Sequence, residues 1–333
     1  MSVRIAIDAM GGDRAPGAVV DGAVQAVRRP GLTVILVGAE SAVRAELARH
    51  PDANLDRLTI IDAPDVIGMD ESPLQAIRRK PRASIRVAAE LVKRGEADAV
   101  VSAGHTGAAF LAAHAAFGVL PGVERPALAV TMPTQAGAAV LLDAGANLEC
   151  RPEHLVQFGV MGAAYARVSL GIEQPRVGLL SIGEEAGKGN DLIKEAHAGL
   201  AKAPLHFIGN IEGRELFTGR ADVIVCDGFT GNVALKVGEG LVETLGHMLR
   251  EELDAALVTQ IGSLLTRRAF QRFKQRVDYA SYGAAPLLGV NGLMLIGHGR
   301  SSPQAVESAI ALAARLAEAR LVERMHEALS HGR

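Results

Sequence analysis

The stretch that decides the fold class is Ala221 to Lys236, with the sequence Ala-Asp-Val-Ile-Val-Cys-Asp-Gly-Phe-Thr-Gly-Asn-Val-Ala-Leu-Lys. Its apolar run from Val223 to Val225 predicts a short strand buried on both faces. Small and polar residues follow at the carboxyl end of that strand, where open α/β sheets bind ligands. A helix beginning near Asn232 would direct unpaired N–H groups at an anion there. An ordinary strand-to-helix connection, with Thr230 or Asn232 as the helix N-cap, fits the stretch equally well.

The composition indicates a globular protein and excludes several functional classes. The chain has 333 residues, 49% of them apolar and 22% charged, which suffices for one large α/β domain or two smaller ones. A net charge of -2 and the absence of Trp argue against nucleic acid as a partner. Two cysteines, Cys150 and Cys226, are too few for a disulfide framework. Because the chain has no charged and then apolar leader, we expect a cytoplasmic protein.

Neither a metal nor a cofactor is expected from the motifs. Cys150 and His154 lie four residues apart, but no second ligand pair with zinc-like spacing follows them. The loop from Gly183 to Asn190 lacks the spacing of a phosphate-binding Walker loop, and no strand is followed by G-x-G-x-x-G, so no nucleotide is indicated. Lys188 in that loop is flanked by glycines and could hold an anion, although a loop lysine is more often simply solvated.

An uncharged run from Ala99 to Val123 is long enough to span a membrane. It is interrupted by the sequence Ser-Ala-Gly-His-Thr-Gly at Ser102 to Gly107, and it ends near Pro121. We therefore interpret it as a buried strand, a turn and a buried helix.

Strands alternate with helices along most of the chain. The first 61 residues have a βαβαβ pattern, which predicts a mostly parallel sheet with helices on both faces. Further strands are predicted at 97–101, 127–132, 138–142, 176–182, 205–208 and 293–296, and a closing helix at 303–329. Glycine turns with Asp, Asn, Thr or Lys follow four strands, at Gly11, Gly104, Gly187 and Gly231. We expect these four turns to converge at one sheet edge.

Two segments are strongly basic. Residues 77–86 contain Arg78, Arg79, Lys80, Arg82 and Arg86, which form either a solvated face or a dock for an acidic partner. Residues 255–278 are predicted to be a projecting amphipathic helical segment within a single domain that spans residues 1–333. This segment either lies on an anionic membrane surface or packs on a partner subunit with its cations in water. Its contact residues would be Arg267, Arg268, Phe270, Arg272 and Phe273.

Five motifs, in order from Val3 to about Ser302, resemble the PlsX family of bacterial phosphate acyltransferases of phospholipid synthesis. They are Ile5 to Asp13, Ser102 to Gly107, Asp143 to Asn147, Lys188 to Asn190, and Asp227 to Asn232. The resemblance implies a Rossmann-like three-layer α/β/α fold with a mostly parallel sheet, related to phosphate acetyltransferases. It also implies a homodimer that associates peripherally with the membrane.

The activity implied by the resemblance converts fatty acyl-[acyl carrier protein] and inorganic phosphate into acyl phosphate and free carrier protein. The product then feeds a glycerol-3-phosphate acyltransferase, so this is the first step towards phosphatidic acid. The resemblance implies that Lys188 and Asn232 are catalytic. The residues expected to bind substrate or phosphate are Asp8, Gly11, Gly12, Gly104, His105, Thr106, Gly107, Asp143, Asn147, Gly189, Asn190, Asp227, Thr230 and Gly231. The acyl carrier protein or the membrane would contact Arg78, Arg79 and Lys80, or the basic residues of 255–278.

His105 departs from the family pattern, which has Asn at this position. If its side chain binds phosphate, it adds a pH-dependent donor, whereas if it only turns the backbone the change is silent. Two other functions stay open: a phosphate acetyltransferase-like enzyme acting on a coenzyme A thioester, and a non-catalytic module that binds acyl chains or lipid at a membrane surface. A covalent route through Cys226 is disfavoured, because a cysteine buried in a strand is inert.

Overall fold

The computed structural model describes residues 2–255 and 283–331, together with the single positions 262, 266, 268, 270, 272 and 273. Within these ranges the strands form two sheets, one of seven strands and one of five. The seven-stranded sheet contains β1 (Val3–Asp8), β2 (Leu32–Gly38), β3 (Leu58–Asp62), β4 (Ala99–Ser102), β5 (Ala127–Leu128), β11 (Ala285–Leu288) and β12 (Met294–Ile296). The five-stranded sheet contains β6 (Val130–Thr134), β7 (Gly137–Leu142), β8 (Arg176–Ser181), β9 (His206–Glu212) and β10 (Val223–Val225).

Most neighbouring strands run parallel, which confirms the predicted α/β class. The seven-stranded sheet has the order β3-β2-β1-β4-β12-β11-β5, in which β11 is antiparallel to both of its neighbours. The five-stranded sheet has the order β6-β7-β10-β8-β9, in which only the edge pair β6 and β7 is antiparallel. Buried parallel strands covered by helices read as continuous apolar runs, and β10 follows that rule with Val, Ile and Val.

The chain passes from one sheet to the other where a single strand was predicted. Residues 127–132 were expected to be one strand, but Ala127 pairs with Leu288 in the seven-stranded sheet while Val130 pairs with Leu141 in the five-stranded sheet. The prediction of one strand was wrong because an apolar run carries no information about which sheet each part joins. β11 was not predicted at all, and β9 extends four residues beyond its predicted end at Ile208.

Helices cover the sheets. They are α1 (Gly17–Ala26), α2 (Glu40–Leu47), α3 (Pro73–Arg79), α4 (Ser84–Lys93), α5 (Thr106–Phe117), α6 (Pro152–Ser169), α7 (Asp191–Leu200), α8 (Gly228–Asp254), α9 (Pro303–Glu318) and α10 (Leu321–His331). The single closing helix predicted over 303–329 is divided, because Arg320 has a φ of 53°, which is outside the helical region. The uncharged run 99–123 forms β4 and α5, as predicted. None of the described helices is long and apolar enough to cross a membrane.

One apolar cluster joins the two sheets. It contains Ile5 and Leu36 from the seven-stranded sheet, Leu142 and Leu179 from the five-stranded sheet, and Phe158 from α6. All of these side chains are nearly or completely buried. The two sheets therefore share a core, and their edges are held in a defined relation to each other.

Helix α8 leaves the body of the protein. Gly228 and Gly231 in its first turn are buried, but none of the residues from 240 to 253 is. The C-terminal part of α8 therefore already projects from the protein, whereas projection was predicted only for residues 255–278. Most of that segment lies outside the described residues.

A substitution at Gly231 tests how closely the first turn of α8 packs against the turn that follows β7. A Cβ at this position would overlap the carbonyl oxygen of Asp143. We expect Gly231→Ala to lower the free energy of unfolding by at least about 2 kcal/mol, because the helix would have to move off the β7 turn. The matched change Gly240→Ala in the same helix meets no neighbouring atom and should be neutral or stabilising by up to about 1 kcal/mol. Urea unfolding measures both, and equal stabilities of the two variants would contradict this seating.

Candidate active site

The glycine turns lie at the carboxyl edges of two sheets. Those at Gly11 and Gly104 follow the neighbouring strands β1 and β4, whereas those at Gly187 and Gly231 follow the neighbouring strands β8 and β10. The expectation that all four converge at one sheet edge was therefore wrong, because the chain changes sheets between them. A turn that was not included, after β12, joins the first group, since Asp13 N–H donates to Gly299 O at 2.8 Å.

A buried carboxylate supports the first group of turns. Asp8 is 4% exposed and accepts hydrogen bonds from Ser102 Oγ at 2.7 Å and from Met10 N–H at 3.2 Å. Burial raises the pKa of Asp8, while the hydrogen bonds that it accepts oppose the shift. Ser102 Oγ in turn accepts from Gly104 N–H at 3.1 Å. The carboxylate thus lies behind the turns and holds them together.

The glycines of this group allow the turns to touch. A Cβ on Gly11 would lie 2.8 Å from Gly104 N, and a Cβ on Gly12, which has a φ of 104°, would lie 3.0 Å from Gly299 O. Only a residue without a side chain fits such contacts. Their place in the structure explains why these positions are glycine without assigning a ligand to them.

His105 is the N-cap of α5. Its Nδ1 accepts a hydrogen bond from Gly107 N–H at 3.0 Å, so the helix begins at Thr106. An Asn at this position can cap a helix in the same way. Two roles were left open for His105, and the observed contact matches the one in which its side chain acts on the backbone. The other ring nitrogen, Nε2, does not take part in this contact.

Asp143 organises the edge of the five-stranded sheet. Its fully buried carboxylate accepts five hydrogen bonds, from the N–H groups of Leu128, Gly145, Ala146 and Asn147 and from Asn147 Nδ2, at 2.7 to 3.1 Å. Burial raises the pKa of Asp143, and the hydrogen bonds that it accepts oppose this shift without cancelling it. Since Leu128 belongs to the other sheet, one carboxylate connects both sheets.

Helix α8 begins on this scaffold. Asp227 is its N-cap, because Asp227 Oδ1 accepts from Thr230 N–H at 2.8 Å and Oδ2 accepts from Thr230 Oγ1 at 2.7 Å. Gly228 N–H donates to Asn147 O, and Gly231 N–H donates to Asp227 O. The predicted helix start near Asn232 and the predicted N-cap at Thr230 or Asn232 were therefore wrong. The side chain of Asp227 caps the N-terminus of α8, so the helix begins about one turn before the predicted start.

This earlier start changes which backbone donors can meet an anion. The N–H groups of Thr230 and Gly231 already have acceptors. In the first turn of α8, the Phe229 N–H has no acceptor among the described residues. It is the backbone donor that remains available at the positive end of the helix dipole.

Asn232 faces the Asp143 turn. Its Nδ2 donates to Ala144 O at 3.2 Å, and the second hydrogen on that nitrogen remains available. Gly145, with a φ of 134°, makes room for the contact, since a Cβ there would lie 2.8 Å from Asn232 Nδ2. The side chain is thereby held at the sheet edge while the residue stays exposed.

Lys188 lies in the loop between β8 and α7. Its N–H donates to Glu185 O at 2.9 Å, and Ser181 Oγ donates to Lys188 O at 3.3 Å. The side chain is exposed, and no carboxylate of the described residues lies within 4.0 Å of its Nζ. Next to it, Gly189 has a φ of 102°, and Asn190 Oδ1 caps α7 by accepting from Ile193 N–H at 3.0 Å.

The topology brings these elements together. Strand β10 lies between β7 and β8, and Val225 is in register with both Leu142 and Leu179. The turns that carry Asn232 and Lys188 therefore leave neighbouring strands at the same edge. Side chains at the ends of adjacent parallel strands are well placed to act on one ligand.

The cysteines are poorly suited to nucleophilic chemistry. Cys226 is 1% exposed, its thiol donates to Asp143 O, and burial raises its pKa well above the usual value. Burial also raises the pKa of Cys150 to about 11. A thiol must ionise to attack a carbonyl carbon, so neither cysteine is a good candidate. In the part of the chain that the structure describes, no group of His, Cys, Asp and Glu could hold a metal ion.

In the basic segment at 77–86, some of the cations already have partners within the protein. Lys80 pairs with Glu71, Arg82 pairs with Asp62, and Arg86 donates to a backbone carbonyl. Arg78 and Arg79, at the end of α3, are exposed, and neither has an acidic partner among the described residues. In the second basic segment, Arg268, Arg272 and Phe273 are exposed and Phe270 is half-buried, whereas Arg267 lies outside the described residues.

Comparison with known proteins places the chain in a family. The model of the family described as "Fatty acid synthesis protein" matches residues 3–324. A phosphate acyltransferase from Geobacter sp. (strain M21) is 50% identical over 329 residues, covering 98% of this chain and 93% of the relative. One from Pelotomaculum thermopropionicum is 52% identical over 321 residues, covering 96% and 93%.

Solved structures show the same fold at low sequence identity. A phosphotransacetylase from Streptococcus pyogenes superposes with a TM-score of 0.66 at 18% identity, covering 96% of this chain and 94% of that one. The EutD phosphotransacetylase from Staphylococcus aureus gives 0.63, also at 18% identity, covering 95% and 94%. These structures share the α/β fold, and the relatives that are 50% or more identical show the class, which is an acyltransferase. The chain belongs to the PlsX family of phosphate acyltransferases.

Proposed function

We propose that this protein transfers the fatty acyl group of an acyl-[acyl carrier protein] to inorganic phosphate, yielding acyl phosphate and free carrier protein. The observation that carries the proposal is the placement of two side chains beyond the ends of the neighbouring strands β8 and β10 in a phosphate acyltransferase. Lys188 has no acidic partner among the described residues, and the Asn232 amide is held by Ala144 O. By the chemistry of its product, the enzyme would supply a glycerol-3-phosphate acyltransferase on the route to phosphatidic acid.

In the proposed mechanism, Lys188 Nζ binds phosphate and reduces the repulsion between the phosphate charge and the negative charge that develops on the carbonyl oxygen. One phosphate oxygen attacks the thioester carbon and forms a tetrahedral oxyanion. Asn232 Nδ2 and the Phe229 N–H are the donors that stabilise this charge. The C–S bond then breaks, the carrier protein leaves as a thiolate and takes up a proton, and acyl phosphate remains. The dipole of α8 adds to the stabilisation, because its N-terminus lies at this edge.

A rim of exposed apolar side chains supports a fatty rather than a short acyl donor. Leu148, Ile182 and Phe229 are 68%, 83% and 62% exposed. They follow β7, β8 and β10, which are neighbouring strands, and Lys188 and Asn232 follow two of these strands, β8 and β10. Apolar side chains so exposed around a polar centre are typical of a binding surface for an apolar group. An enzyme of the phosphate acetyltransferase type acting on coenzyme A thioesters is the alternative.

The role of the pair is tested by replacing each residue. Lys188→Ala and Asn232→Ala should each lower the rate of acyl phosphate formation by about a hundredfold or more, because each removes a donor to phosphate or to the oxyanion. The rate is measured as phosphate-dependent formation of a hydroxylamine-reactive product from a long-chain acyl-[acyl carrier protein].

Lys202→Ala is the matched control, since Lys202 is an exposed lysine just beyond the C-terminal end of α7. Near-normal turnover of either site variant would refute its assignment. Faster reaction with acyl-coenzyme A than with the carrier-protein thioester would favour the alternative enzyme.

Arg78 and Arg79 are proposed to dock the carrier protein, which is acidic as a class. Both are exposed at the C-terminal end of α3, whose first residue Pro73 packs against Gly107 at the seven-stranded sheet edge. Arg78→Glu with Arg79→Glu should raise KM for the carrier-protein substrate, and the KM of the unchanged protein should rise with salt. Arg28→Glu is the control, because Arg28 is exposed beyond the C-terminal end of α1. A salt-independent KM would count against the dock.

The projecting part of α8 is proposed to form a homodimer interface. Val237, Leu241, Leu245 and Met248 lie on one face at spacings of three and four and are 55 to 65% exposed. A stripe of this length marks an interaction surface, and a second copy offers a matching one. Leu241→Asp with Leu245→Asp should give a monomer in sedimentation velocity, whereas Glu243→Ala on the opposite face should not. A wild-type monomer would end this proposal.

Peripheral attachment to an anionic membrane is proposed for the basic segment around Arg268 and Arg272, with Phe270 and Phe273 as the apolar contacts. Phe273 is 58% exposed, and a lipophilic product is best released at a bilayer. Phe270→Gln with Phe273→Gln should reduce flotation with vesicles that contain anionic lipid. Flotation equal to that of the unchanged protein would contradict the membrane contact.

A further inference from the structure

A buried amide on β9 was not singled out by any sequence motif. Asn210 is 1% exposed, is in register with Leu179 of β8, and lies one strand away from β10. Its Nδ2 donates to Glu185 O at 2.9 Å, and its Oδ1 has no hydrogen-bond partner among the described residues. Burying an amide costs free energy unless it is hydrogen-bonded, and half of this amide is not, so an asparagine here indicates that the hydrogen bond of its Nδ2 has a role.

The acceptor of this hydrogen bond is shared with Lys188. Glu185 O accepts from Asn210 Nδ2 and from Lys188 N–H, both at 2.9 Å. Ser181 Oγ bonds Lys188 O on the other side of the same residue. The Asn210 amide therefore fixes the one carbonyl that closes the turn from which the Lys188 side chain departs.

We infer that Asn210 is a positioning residue for Lys188: through Glu185 O it sets where the lysine Nζ meets phosphate. This inference rests on the proposed role of Lys188. Lys188 is exposed and has no carboxylate beside it among the described residues, so the backbone of its loop is what orients it. A displacement of about 1 Å at a reacting group can cost on the order of a hundredfold in rate.

A second set of contacts on the same loop is weaker. Glu184 pairs with Arg214 at 3.8 Å and with Arg220 at 3.1 Å, but these side chains are 37 to 74% exposed. Exposed ion pairs contribute little and are screened by salt. The hydrogen bond from Asn210 to Glu185 O is neutral and part-buried, so salt screens it less than these ion pairs, and it contributes more to the position of the loop.

The test is a double-mutant cycle on the full-length enzyme with inorganic phosphate as the varied substrate. Asn210→Ala should lower kcat/KM for phosphate by about tenfold to a hundredfold, with KM for the acyl-[acyl carrier protein] unchanged. In the Lys188→Ala background the same change should have no further effect, because Asn210 acts only through Lys188. Multiplicative losses, or equal losses for both substrates, would overturn the inference.

Hydrogen–deuterium exchange gives a readout that does not depend on activity. Asn210→Ala should speed exchange in residues 183–190 and leave residues 143–147 unchanged, and unchanged exchange in 183–190 would overturn the inference. If Lys188→Ala were fully active, the proposed function of the lysine would fail, while exchange would still decide whether Asn210 holds the loop.

Three further variants separate the hydrogen bond from other effects. Asn210→Ser keeps a polar atom but is too short to reach Glu185 O, so it should behave as Asn210→Ala does and replaces it if the alanine variant does not fold. Thr134→Val is the matched control, because Thr134 Oγ1 is also buried and unpartnered in the same sheet. Arg214→Ala should leave kcat/KM for phosphate unchanged. A loss in either control as large as that in Asn210→Ala would overturn the inference.

Discussion

The carboxylate of Asp143 is the interaction on which the site depends. Buried away from water, it would be costly to ionise, yet five N–H donors surround it, one from Leu128 in the other sheet and four from the turn that follows β7. Those donors shape the turn from residue 143 to 147, and the turn supplies Asn147 O to Gly228 N–H and Ala144 O to Asn232 Nδ2. The position of the first turn of α8 therefore depends on the hydrogen bonds that the Asp143 carboxylate accepts.

Some polar residues at these strand ends are bonded within the protein, and others keep hydrogen-bonding groups available. His105, Asn190 and Asp227 cap helices, and Asp8 and Asp143 hold turns together. Their hydrogen-bonding capacity is largely used by the protein itself. Among the described residues, Lys188 Nζ and the second N–H of Asn232 keep their hydrogen-bonding capacity, and the proposed reaction uses these two groups for that reason.

Much of the fold followed from local pattern. The apolar runs of β8 and β10 were predicted close to where they lie, and β1 to β3 match the βαβαβ pattern predicted for the first 61 residues. Their signals are short-range: apolar length, a glycine turn and a capping residue. β11 was missed, and residues 127–132 were wrongly joined, because strands are completed by partners far away in the chain. In the site, the motifs identified the turns, but nothing in the spacing distinguished a cap from a ligand, and Asn210 is an isolated polar residue that no motif covers.

By itself, the sequence determined the alternation of strands and helices, the glycine turns at strand ends and the family, since these depend on neighbouring residues or on ordered motifs. Only the tertiary structure decided that the turns belong to two sheets, that Asn232 bonds Ala144 O, and that Asn210 and Lys188 N–H share Glu185 O as their acceptor. The physical reason is the same in each case. A hydrogen bond that closes between residues 25 or more positions apart, as from Asn210 to Glu185 or from Asn232 to Ala144, leaves no periodic trace in the chain.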